Sequence, residues 1–165
     1  MRKLLLAIFA LTVSSGSALA EEAASSLDSG DTAWMLTATA LVLLMTIPGV
    51  ALFYGGMVRK PNVLATVMQS FTVTCMITII WMVIGYSLAF GTGGAYIGDL
   101  SNVLLNTLEL EQVNGSIPES VFIIFQLTFA IITAALITGA IAERMKFSAL
   151  LLFLGSWSIL VYSPI

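Results

Sequence analysis

The chain has 165 residues, 59% of them hydrophobic and only 9% charged, with a net charge of −3 and a mean hydropathy of +1.04. A soluble domain of this length cannot cover so much apolar surface, so the composition excludes a water-soluble globule and indicates an integral membrane protein. Histidine is absent and Cys75 is the single cysteine, which removes the commonest metal ligand, the usual general base, an intrachain disulfide and any cysteine-rich metal site.

In lipid every backbone polar group needs an internal partner, so a span is either a helix or part of a closed barrel. The long apolar runs here do not alternate, and they therefore read as helices. The first 20 residues, MRKLLLAIFALTVSSGSALA, read as a signal peptide. Arg2 and Lys3 form the positive region, Leu4 to Val13 the apolar core, and Ala18-Leu19-Ala20 the cleavage signal. That core is too short to span a bilayer. Residues 21–32 are polar and acidic and are expected outside the cytoplasm.

Four spans follow in residues 33–165, at about 33–56, 62–90, 119–142 and 147–162. The first ends in TIPGVALFYGGMVRKPNVL. Pro48 cannot donate to the carbonyl four residues back, so a bend is expected there. Gly49, Gly55 and Gly56 permit close backbone approach. Phe53 and Tyr54 fall near the end of the span, where an interfacial aromatic belt is an equally good reading. The second span is roughly 40 Å long and must tilt.

Orientation follows from charge. Beyond Arg2 and Lys3, the basic residues are Arg59, Lys60, Arg144 and Lys146, all in the short connections after spans one and three. Of the acids, Glu143 alone shares that side. The positive-inside bias places these connections in the cytoplasm and the mature N-terminus outside. Glu143, beside Arg144 and Lys146, reads as a member of a solvated ion pair. Between spans two and three, residues 91–118 should form an external loop with one short helical piece around Leu100 to Leu108. Asn114-Gly115-Ser116 matches a glycosylation acceptor, although a simple turn explains it better.

In the third span Phe125, Phe129, Ile132 and Leu136 are spaced by four, three and four, which makes one helical stripe, aromatic and then aliphatic. Ala135 with Gly139, and Ala134 with Thr138 and Ala142, have small-xxx-small spacing suited to tight helix contact. Composition alone leaves packing, lipid contact and pore lining open for the stripe.

The segments TALVLLMTIPGVALFYGGMVRKPNVL, VMQSF, GYSLAFG, FQLTFAIITAALITGAIAERMKFSALLLF and WSILVYSPI together resemble the N-terminal part of the ammonium transporter (Amt/Mep/Rh) family, from about Asp31 to the last residue. Pro61 departs from the usual lysine of that family. The resemblance implies an all-α integral membrane protein whose four transmembrane helices are a fragment of an eleven-helix inverted-repeat channel, usually a homotrimer in the inner membrane. It implies that Phe125 and Phe129 bind the ammonium substrate at an outer aromatic vestibule, and that Val50, Phe53, Tyr54, Ile132 and Leu136 line a pore. A PII-type signalling protein is a partner implied at the cytoplasmic face. The second repeat, the vestibule tryptophan, the buried acid and the two pore histidines have no counterpart in these residues, so this piece alone is expected not to conduct. A non-conducting ammonium-sensing or assembly module is the alternative. No G-x-S-x-G, H-E-x-x-H or nucleotide loop occurs, and neither an enzyme, a cofactor, a metal site nor a nucleic-acid partner is expected.

Overall fold

A computed structural model describes residues 26–94, 97–109 and 111–165. The signal-peptide reading lies outside the described residues. Four helices dominate: α1 (Ser29–Met57), α2 (Lys60–Phe90), α3 (Glu119–Ile141) and α4 (Phe147–Tyr162). The first three are long and apolar enough to cross a membrane; α4 is shorter. A two-stranded antiparallel hairpin, β1 (Val113–Asn114) and β2 (Ile117–Pro118), precedes α3.

The first helix starts four residues before the expected boundary because Asp28 caps it. Its carboxylate accepts from the Asp31 N–H at 2.8 Å, and Ser29 to Thr32 become the first turn. At Pro48 the helix is continuous, with Met45–Val50 forming a wide π turn. The missing proline donor is thus absorbed by a change of helical register within an unbroken helix. Two further π turns occur, at Trp81–Gly85 in α2 and Ser158–Tyr162 in α4.

The core joins α2, α3 and α4. Val73, Ile77 and Trp81, spaced by four, meet Ile123, Ala130, Ile131 and Ala134 of α3 and Leu150 and Leu154 of α4. The small α3 residues Ala134, Ala135 and Thr138 are fully enclosed, as their spacing suggests. Several hydroxyls inside these apolar helices are satisfied locally, although the buried Ser70 hydroxyl has no partner among the described residues. Thr39 donates to the Met35 carbonyl at 2.7 Å, Thr46 to Val42 at 3.0 Å and Thr138 to Ala135 at 2.7 Å.

Between α2 and α3 the chain folds back onto the acidic end of the bundle. The Ser87 hydroxyl donates to the Asp99 carbonyl at 2.7 Å and accepts from the Asn102 N–H at 3.1 Å. The expected helical piece shrinks to one 3-10 turn, Val103–Leu105, because Leu104 and Leu105 adopt left-handed backbone angles. Asn114 and Ile117 pair across Gly115-Ser116, and Gly115 (φ +65°) supplies the positive φ that so tight a hairpin needs. The acceptor-like tripeptide therefore sits on a turn.

Candidate functional site

The stripe on α3 is intact because the helix runs unbroken from Glu119 to Ile141. Phe125 and Phe129 meet edge to face, with centroids 5.0 Å apart and an interplanar angle of 77°. Phe129 and Leu136 are exposed, while Phe125 and Ile132 are half-buried. The stripe thus lies on an open flank of the bundle and not in its core. From Phe129 to Leu136 it descends about 10 Å toward the basic end.

At that end α1 crosses α3. The Tyr54 hydroxyl donates to the Leu136 carbonyl at 3.0 Å, and the Tyr54 ring lies over Gly139, where any added Cβ would overlap it. Phe53 stands beside Tyr54, centroids 5.5 Å apart. The α1 residues do not share one environment: Val50 is buried and Phe53 is 65% exposed. The structure therefore ties Tyr54 to Leu136, with Phe53 beside Tyr54, and separately pairs Phe125 with Phe129.

Three groupings had no signal in linear spacing. Glu143 lies just past the end of α3 and has φ +62°. It accepts from the Asn62 side chain at 2.7 Å, the Arg59 backbone N–H at 3.0 Å and Arg59 Nε at 3.3 Å. The expected ion pair is thus with Arg59, across the two basic connections. Donation by Asn62, and then by the Arg59 N–H, holds the Glu143 carboxyl below the usual glutamate value.

The second grouping is Glu119, which lies at the acidic end and is only 8% exposed; it accepts from the Tyr86 hydroxyl. The third is an aromatic cluster. Trp81 contacts Tyr86, Phe90 and Tyr162 at centroid distances of 6.1–6.3 Å, and Phe90 meets Phe122 at 5.2 Å. Trp81, Phe90 and Tyr162 border a cavity of about 520 Å³, together with Trp157, Gln126 and Thr133. These residues come from three helices, so only the tertiary fold assembles them.

The model of the Ammonium Transporter Family matches residues 33–165. The chain is 48% identical over 138 residues to the ammonium transporter of Bacillus subtilis, covering 82% of this chain and 34% of that protein. It is 44% identical over 158 residues to the ammonium transporter of Aquifex aeolicus, covering 94% of this chain and 37% of that one. The crystal structure of Candida albicans Mep2 superimposes with a TM-score of 0.72 at 34% identity, over 84% of this chain and 31% of that one. The chain thus spans about a third of the length of the relatives it matches.

Proposed function

The chain belongs to the ammonium transporter family, and from that premise we propose that it supplies the N-terminal part of an ammonium-conducting pore. The observation that carries this reading is the open α3 stripe, in which the Phe125–Phe129 pair gives way to Ile132 and Leu136. An aromatic face attracts a small cation by about 0.5–2 kcal/mol, more as the cation loses water. Phe125 and Phe129 are then the place where ammonium is gathered. Potassium feels the same attraction, so the rings alone do not discriminate. The aliphatic continuation does: a bare cation faces a large desolvation cost there, and neutral ammonia does not. A cation that can shed a proton has a route that potassium lacks.

On this reading Val50, Phe53 and Tyr54 complete the lining from α1, with the remaining wall supplied by residues outside this chain. The chain alone does not conduct. The basic end faces the cytoplasm and the N-terminus lies outside, after removal of a signal peptide from the inner-membrane form. A homotrimer, and a PII-type regulator at Arg59, Lys60, Arg144 and Lys146, belong to the same proposal. Methylammonium uptake by a transport-deficient cell tests it. A full-length protein carrying this segment restores uptake and this chain alone does not; uptake by neither refutes the reading, and uptake by the chain alone refutes the shared pore.

A further inference from the structure

Glu119 is a buried acid that the transport reading does not use. It opens α3, and its backbone N–H donates to the Gln112 carbonyl at 2.9 Å. The Tyr86 hydroxyl donates to Oε1. Oε2 has no donor among the described residues, and the single ion pair among them is that of Arg59 with Glu143. A carboxylate enclosed to this degree needs an offsetting positive charge or a fuller set of donors.

Beside it lies a cavity of about 40 Å³. Its polar lining is Tyr86, Asn102, Thr107, Gln112 and Glu119, drawn from α2, the long connection and α3. The volume admits one occupant of about the size of a water molecule, whose share of the liquid is about 30 Å³. Asn102 Oδ1 accepts from the Thr107 hydroxyl, and Gln112 Oε1 accepts from the Glu109 N–H at 3.4 Å. Each amide oxygen keeps a second lone pair, as does the Thr107 oxygen. The residues that line the pocket thus carry one carboxylate and three neutral side-chain oxygens beside a water-sized space.

We propose that the Glu119 pocket is a binding site for a single dehydrated monovalent cation of water-like size, ammonium or potassium, separate from the α3 stripe. Neutral water fits the volume but leaves the carboxylate charge uncompensated. Calcium wants six to eight oxygens and magnesium keeps several waters, more than this space holds. The site is distinct from the stripe because Phe125 lies two residues beyond Ile123, another wall of the pocket, and therefore about 200° around the helix. The proposal does not depend on transport by the chain.

Trp81 supplies a reporter, since its ring lies 6.1 Å from that of Tyr86 and its indole N–H donates to the Ile123 carbonyl at 3.3 Å. The protein, purified in detergent and freed of ammonium and potassium, is titrated with ammonium chloride, potassium chloride or tetramethylammonium chloride while tryptophan emission is followed. Ammonium or potassium, whichever the site takes, gives a saturable change, and tetramethylammonium, too large for the space, gives none. Glu119→Gln raises the midpoint at least about tenfold, as expected for loss of a charged acceptor. Gln112→Leu raises it about threefold, as expected for loss of a neutral one, and decides the matter should Glu119→Gln fail to fold. The absence of a saturable response to either small cation overturns the proposal. So does an unchanged midpoint in the folded Glu119→Gln or Gln112→Leu protein, or a response lost in Phe129→Ala but kept in Glu119→Gln, which would belong to the stripe.

Discussion

The Tyr54 hydroxyl donates to the Leu136 carbonyl at 3.0 Å while the Tyr54 ring occupies the space that a side chain at position 139 would need. One tyrosine of α1 is thereby fixed on α3 by a polar contact at its tip and a steric contact at its ring. Gly139→Ala should displace that ring. We expect a loss of about 1–3 kcal/mol, the usual cost of overpacking. Thermal unfolding in detergent measures it, and Tyr54→Ala in the same protein should remove most of the penalty.

Tyr54→Phe keeps the ring over Gly139 and deletes only the hydrogen bond. The expected cost is about 1 kcal/mol. A larger loss, comparable to that of Tyr54→Ala, would mean that the hydroxyl and not the ring fixes the crossing.

Phe129→Ala removes the more exposed member of the edge-to-face pair. In a full-length protein carrying this segment, methylammonium uptake should fall or potassium exclusion should weaken, by about the factor of 2–30 that 0.5–2 kcal/mol represents. Unchanged uptake together with unchanged potassium exclusion would remove Phe129 from the proposed recruitment site.

Glu143 gives a pH dependence with a definite sign. Its folded carboxyl is held below the ordinary glutamate value by Asn62 and then by Arg59, so the folded state favours the ionised form. That contribution is fully present above the ordinary glutamate value and is lost as pH falls through the lower, folded value. Melting temperature followed from about pH 6 to about pH 3 should therefore fall less steeply in Glu143→Gln than in the parent. Glu143→Gly adds a control. It relieves the φ of +62° at that residue while also losing the carboxylate, so any stability it regains over Glu143→Gln reports backbone strain.

Periodicity made the helices legible, since hydrophobic runs long enough to span leave few alternatives. The α3 stripe was legible for the same reason: residues spaced by three and four share a face on any unbroken helix. The small residues of α3 announced close packing but not their partner, because the sequence does not say which ring lands on Gly139. Pro48 suggested a bend, and the fold answered with a wide turn, a choice made by the surrounding packing. Glu143 was legible as one half of a solvated ion pair but its partner was not, because its donors lie more than 80 residues away, at Arg59 and Asn62. Glu119 looked like one more external acid, and only the docking of the long connection shows that it is covered.

The wide turn at Met45–Val50 has a bearing on how this helix tolerates length changes. A π turn holds one residue more than the regular spiral needs, so the chain stores a spare position beside Pro48. Excising Gly49 should tighten that segment to ordinary pitch and leave the phase of Phe53 and Tyr54 against α3 unaltered. The same excision at Ala40, in the regular stretch, would rotate everything before it by about 100° relative to its neighbours. Helix one would thus accept a deletion at one place and resist it at another.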